Sequence, residues 1–217
     1  MQKGDFVKID YIGRLESGEV FDLTDEEVAK KENIYNEKAS YKPMPIIVGA
    51  GFVIPGLDKA LLDMNVGERK VIEVYPKEAF GDRKPEHVRT VSEKEFEGQI
   101  TPRPGMVVDF ANSRGRIQSV ANGRVRVDFN HPLAGKNLKY DIGVIEQITN
   151  PKEQVDAILD FFSVEATSNV GSDIEIETKA KLPLQVKERI SSLILEYVKI
   201  DDKPLKKVKF TEIFEKR

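Results

Sequence analysis

The sequence predicts an α+β protein in which antiparallel strands carry most of the structure and a few amphipathic helices pack on them. Three observations predict it. Apolar and polar residues alternate over 6–11 and again over 69–75, the period of a strand. Apolar stripes recur at helical spacing over 55–64, 155–162 and 186–197. Between these regions, 83–129 holds only short strand-like runs separated by turn residues.

Taken in order, the alternation of 6–11 is followed by Gly13 and Gly18, which bracket a turn, and by Val20 and Phe21 beyond it. Thr24 with Glu27 three residues on reads as a capping box that opens a short helix. Residues 33–45 have no period and read as a loop. Pro55 suits a first helical turn, and Leu57, Ala60, Leu61 and Met64 make one apolar face. Asn65-Val66-Gly67 ends that helix, and the strand of 69–75 follows. Pro85, Pro102 and Pro104 punctuate the next block. Its strands are read at 106–110, 116–120 and 124–129. Asn112 to Gly115 turns the first pair, and Asn122-Gly123 is a two-residue hairpin signal for the second. A further strand is read at 138–148. After Asn150-Pro151, Val155, Ile158, Leu159 and Phe162 form a helical stripe, Ile174 and Ile176 alternate with charges, Val186, Ile190, Leu193, Ile194 and Tyr197 form a second stripe, and Val208 and Phe210 mark a last strand.

Composition removes several chemistries. There is no cysteine among the 217 residues, so disulfides, thiol catalysis and zinc–thiolate sites are excluded. No nucleophile elbow, P-loop or zinc-protease helix occurs, and Gly49, Gly51 and Gly56 have the wrong spacing for a dinucleotide loop. The two histidines, His87 and His131, are far apart in sequence. His131 reads as a turn-shaping residue and His87 as an exposed linker residue, so neither metal nor cofactor is expected. A net charge of −3 argues against nucleic acid as the main partner. Arg114, Arg116, Arg124 and Arg126 are read as a solvated face, with RNA contact as the alternative. The first residues lack a signal-peptide core, and the most apolar stretch, 44–57, is broken by two prolines and three glycines. No membrane contact and a cytoplasmic location are expected. What is left is a binding protein, or an enzyme for a reaction that needs no nucleophile.

Several motifs occur together in sequence: Tyr11-Ile12-Gly13-Arg14-Leu15, Phe21-Asp22, Val53-Ile54-Pro55-Gly56-Leu57-Asp58, Val66-Gly67-Glu68, and Pro76 with Ala79-Phe80-Gly81. Together they resemble the FKBP prolyl isomerases. Asn130-His131-Pro132-Leu133-Ala134-Gly135-Lys136-Asn137-Leu138 resembles the segment by which SlyD-type FKBPs return from their insert-in-flap domain. The last third, with its Phe210-Thr211-Glu212-Ile213-Phe214 ending, resembles the extra domain of the long archaeal FKBPs.

The resemblance implies an FKBP antiparallel half-barrel around one helix from 1–82 and 130–149, an inserted all-β chaperone domain at 83–129, and a C-terminal α+β domain at 150–217. It implies a prolyl isomerase whose catalytic residues are Tyr11, Phe21, Asp22, Ile54, Phe80 and Tyr140, with Met44, Val53 and Leu57 binding substrate. The Ile54 N–H would hold a substrate carbonyl. Leu57 stands where many members have tryptophan, which implies weaker stacking on the proline ring, and Phe80 where most have tyrosine, which implies loss of a hydroxyl hydrogen bond to substrate; looser binding of macrolide inhibitors is expected. A non-catalytic holdase or scaffold is the alternative these two changes leave open. The implied partners are unfolded or partly folded clients and proline-containing peptides. The wide apolar surface of the helix near 184–198, in a unit too small to bury it alone, predicts a homodimer through 150–217.

Overall fold

In the computed structural model, which describes residues 1–110, 113–201 and 203–213, the chain divides into two compact units. The first comprises Met1–Val74 and Leu138–Arg217, and the second Tyr75–Asn137.

The first unit begins with β1 (Phe6–Leu15), β2 (Val20–Leu23), α1 (Glu26–Lys31), β3 (Met44–Ile47), α2 (Pro55–Leu62) and β4 (Arg69–Val74). The capping residue of α1 is Asp25, not the expected Thr24: the Asp25 carboxylate accepts from the Val28 N–H at 3.0 Å. Thr24 is unavailable because it is buried against β1, where its hydroxyl accepts from the Tyr11 N–H at 2.9 Å. β3 falls at the end of a stretch read as loop. Its Met-Pro-Ile-Ile run lacks alternation because Pro45, Ile46 and Ile47 are all buried.

The second unit contains β5 (Val88–Ser92), β6 (Val107–Phe110), β7 (Ser113–Ala121) and β8 (Arg124–Asp128), in an antiparallel sheet of order β5-β8-β7-β6. Phe96, Val108, Ile117, Val125 and Val127 fill its core. The Asn122-Gly123 hairpin forms as expected, with both residues at positive φ (51° and 71°), the signature of a type I′ turn. The expected turn at Asn112 to Gly115 is different. Asn112 lies outside the described residues, and Gly115 is a buried strand residue paired with Val108. A Cβ at Gly115 would lie 2.6 Å from Val127, so the glycine serves close packing rather than turning. Arg124 and Arg126 alternate with buried Val125 and Val127 and are exposed. Where the chain leaves and returns, the Asn130 side chain accepts from the Lys84 N–H and donates to the Lys84 carbonyl, both at 2.9 Å.

The return to the first unit is β9 (Leu138–Gln147), then α3 (Pro151–Phe161), β10 (Ala166–Val170), β11 (Ile174–Thr178), α4 (Leu184–Tyr197), the short pair β12 (Lys199–Ile200) and β13 (Lys203–Pro204), and β14 (Val208–Glu212). β9 enters the middle of the first sheet, giving the order β2-β1-β9-β4. β3 also pairs with β1, along 6–9, while β2 pairs along 12–14. All these pairs are antiparallel. α2 lies against β4, with Leu57 and Leu61 buried. β10, β11 and β14 form a second sheet, in which β11 and β14 run parallel. β10 escapes the sequence reading because Ala-Thr-Ser-Asn-Val carries almost no apolar signal. Phe214 lies outside the described residues.

The α4 stripe corrects the premise of the dimer expectation. Ile190, Leu193 and Ile194 are buried within the chain, in a core that also takes in Val155, Ile158, Leu159, Ile174 and Ile176. Phe6, Ile47 and Ile148 belong to the same core, so the C-terminal segment buries its apolar surface partly on the first sheet's strands. Leu184, at 69% exposure, is the large apolar residue of α4 left in solvent. Among the described residues no helix is long and apolar enough to cross a membrane.

Candidate functional site

The site grows from Gly13 on β1. The strand registers set Asp22 of β2 on one side of Gly13 and Tyr140 of β9 on the other. A Cβ here would lie 2.7 Å from the Phe21 ring and 3.1 Å from that of Tyr140, so only glycine lets both rings close over this point. Phe21 and Tyr140 meet edge to face at 5.6 Å, the favoured geometry for aromatic pairs. Tyr11, two residues before Gly13 and therefore on the same face, has its ring 6.0 Å from Tyr140. Its hydroxyl donates to the Asp22 carboxylate at 2.9 Å. Thr24 pins the Tyr11 backbone in both directions, accepting its N–H through the side chain and donating a backbone N–H to its carbonyl at 3.0 Å. Sequence reading missed this role of Thr24, since a threonine before an acidic helix start carries the same local signal as a cap.

Asp22 is an exposed residue at the rim, yet the aromatic walls around it exclude enough water to raise its pKa. Partial burial is the main cause. The Tyr11 hydroxyl and the Leu23 N–H oppose it by bonding to the charged form. Burial raises the Tyr11 phenol well above its usual value, and the Asp22 charge adds to this. Tyr140 is pushed up to about 12, by burial and then by Asp22. A raised phenol pKa contributes stability that is fully present below the ordinary tyrosine range, near 10, and is lost as pH rises through the shifted value. Alkaline titration followed by phenolate absorbance is therefore expected to show a late phase. Tyr11→Phe and Tyr140→Phe should each remove part of it, and a single phase unaffected by either change would contradict the reading of this corner.

The other residues expected at the site are placed as follows. Met44 opens β3 and lines a cavity together with Tyr11 and Asp22. Val53 and Ile54 are half-buried just before α2, and Leu57 is 3% exposed on its first turn. These three do not line that cavity. Ile54 is the N-cap of α2, and among the described residues its own N–H has no acceptor. The loop ahead of it is held by Asp58, whose carboxylate accepts from the N–H groups of Gly49 and Gly51 at 3.0 and 3.2 Å. Asp58 appeared in the sequence only as part of a motif. Its role depends on a loop seven to nine residues upstream folding back on the helix. Phe80 belongs to the second unit, where its ring stacks face to face on His131 at 4.2 Å. His131 also accepts from the Leu133 N–H through Nδ1 at 3.2 Å, in keeping with a turn-shaping residue.

A corner of this kind offers a partly buried aromatic face with one carboxylate at its rim. Comparison with known proteins agrees in character. Residues 1–101 match the family described as FKBP-type peptidyl-prolyl cis-trans isomerase, and residues 90–133 match the one described as FKBP26, IF domain. The chain is 37% identical over 145 residues to a short-type peptidyl-prolyl cis-trans isomerase of Methanocaldococcus jannaschii, covering 66% of this chain and 92% of that one. It is 35% identical over 118 residues to the FKBP-type peptidyl-prolyl cis-trans isomerase SlyD of Helicobacter pylori, covering 52% and 63%. It is 32% identical over 110 residues to an FKBP-type 16 kDa peptidyl-prolyl cis-trans isomerase of Escherichia coli, covering 48% and 74%. With this degree of identity across nearly the whole of the archaeal relative, the chain belongs to the FKBP-type peptidyl-prolyl cis-trans isomerase family.

Proposed function

We infer that the chain speeds rotation about X–Pro bonds in unfolded and partly folded polypeptides, and that its inserted domain holds the client while this happens. In this reading 1–82 and 130–149 form the isomerase domain, 83–129 the client-holding insert, and 150–217 an α+β domain. Tyr11, Phe21, Asp22, Ile54, Phe80 and Tyr140 act on the prolyl bond, with Met44, Val53 and Leu57 binding around it. The observation that carries the reading is the aromatic corner over Gly13, with the Tyr11 hydroxyl bonded to Asp22 at its rim.

The rotational barrier of about 18–20 kcal/mol comes from amide resonance. In the planar amide the carbonyl oxygen carries partial negative charge, which water stabilises. At the twisted transition state that charge is reduced. A weakly hydrated aromatic site therefore favours the twisted form over the planar one, and each 1.4 kcal/mol of that difference is worth about tenfold in rate. Rotation transfers no proton, so the site needs no acid or base. The free Ile54 N–H supplies a point of attachment for a substrate carbonyl, and Tyr11 and Asp22 fix the polar rim.

A protease-free NMR exchange assay on a proline tetrapeptide tests this. Exchange at the buffer rate with folded protein would defeat the isomerase reading, and binding without faster exchange would leave a holdase. Asp22→Asn is expected to lower kcat/KM about tenfold, about 1.4 kcal/mol of transition-state stabilisation. The pH profile gives a second check. With the carboxylate as the active form and its pKa raised, activity falls on acidification before an ordinary aspartate would titrate. The stability effect has the opposite sign: it is present below the ordinary aspartate range and lost as pH rises through the raised value. The acid limb should move in Asp22→Asn. Light scattering addresses assembly. With the α4 stripe covered within the chain, the mass of one chain is expected at micromolar concentration, and the mass of two would restore pairing through 150–217.

A further inference from the structure

Beside the Tyr11–Asp22 pair lies a cavity of about 560 Å³, within the usual range for ligand sites. It lies entirely in the first unit. One wall is Tyr11 and Asp22 themselves. The second is the segment leading into β3 and the first residue of that strand, through Tyr41, Lys42 and Met44. The third is the end of α3 and the turn after it, through Asp160, Phe161 and Glu165.

The walls are ordered rather than loose. Tyr41 stacks on Tyr35 at 5.4 Å, and its hydroxyl accepts from the Asn36 N–H at 2.9 Å, which folds this segment on itself. Lys42 donates to both carboxylate oxygens of Asp160, at 2.6 and 2.8 Å, and ties the second wall to the third. Phe161 packs at 4.3 Å on Phe52, the residue before Val53 and Ile54. The C-terminal segment therefore touches the loop that leads into α2 as well as facing Tyr11 and Asp22.

Charge in this cavity is one-sided. Lys42 is neutralised by Asp160, which leaves Asp22 and Glu165 as uncompensated carboxylates among aromatic and thioether surface. Aromatic faces and carboxylates together favour a guanidinium or ammonium group, through cation–π and charge attraction. A chain bound at the Tyr11–Asp22 corner continues directly into this space.

We propose that this cavity is a subsite for the polypeptide flanking the isomerised bond, and that it selects a basic side chain within a few residues of the proline. The proposal rests on the isomerase reading above. It gives the C-terminal segment a part in substrate choice, through Phe161 and Glu165.

The test uses the full chain and two sets of peptides: a capped tetrapeptide with a central X–Pro bond, and decapeptides of the same centre with arginine or glutamate placed two to four residues to either side. Arginine peptides are expected to exceed their glutamate counterparts about tenfold in kcat/KM at low salt, through KM and not kcat. The charge reversal Glu165→Lys, at an exposed position, is expected to bring that ratio near one. Exchange on the tetrapeptide with no arginine preference on the decapeptides would overturn the subsite alone. A preference that survives Glu165→Lys would also overturn it. No exchange on any peptide would overturn the isomerase reading and the subsite with it.

Discussion

A variant in which residues 85–129 are replaced by a short flexible linker is expected to keep its activity on a proline tetrapeptide and to lose on the order of 100-fold in catalysed folding of a protein with a slow prolyl step. The second unit has its own filled core around Phe96, Ile117, Val125 and Val127, which packs without residues of the first. The Asn130 side chain pairs with both backbone groups of Lys84, which keeps the two cut ends together when the strands between them are gone. A tetrapeptide needs only the prolyl corner. A protein client gains from a second attachment, because holding it raises the effective concentration of every proline in the held chain. Val107 at 53% exposure and Ile100 at 39% are large apolar residues that the insert presents to solvent. Stopped-flow refolding compared with the peptide assay measures both arms. Equal losses on peptide and protein would mean the deletion damaged the isomerase site, and no loss on protein would remove the client-holding role.

The second large effect is expected at Gly56. A Cβ there would lie 2.4 Å from Val74 Cγ1 and 3.1 Å from Cγ2. Alanine normally gains about 1 kcal/mol over glycine inside a helix, but Gly56 sits in the first turn, where that gain is smallest, and contact at 2.4 Å dominates. Val74 is buried and paired in β4, so it has little room to yield. Gly56→Ala should therefore cost about 1–3 kcal/mol by overpacking. It should also lower isomerase activity, because the turn that shifts carries Ile54 and Leu57. Val74→Ala in the same chain removes the opposing methyl groups, so the double variant should be more stable than the sum of the single changes predicts, with a coupling of about 1–2 kcal/mol. Denaturant unfolding of all four proteins gives the cycle. Additive costs would show that helix and strand do not meet there as described.

The sequence by itself determined the elements whose period is local. The stripes of α2, α3 and α4 and the alternation of β1, β4, β8 and β9 are written in side chains three or four, or two, positions apart, and the I′ turn at Asn122-Gly123 is encoded in two adjacent residues. The motifs that carry the family resemblance lie on or beside those elements, which is why Tyr11, Phe21, Asp22 and Tyr140 could be grouped before their geometry was known. Tertiary structure alone decided what depends on distant partners. Thr24 and Asp25 carry the same helix-start signal, and only the nearness of the Tyr11 N–H assigns one to the strand and leaves the other as the cap. Asp58 is an ordinary helical acid until the loop of Gly49 and Gly51 folds over it. The C-terminal segment reads as a unit short of core until Phe6, Ile47 and Ile148 are seen to complete one. The cavity between Tyr11 and Glu165 joins residues 154 positions apart. No local period records such a meeting, because a residue's own propensity is set by its neighbours in sequence, whereas its role is set by whichever surface the folded chain closes upon it.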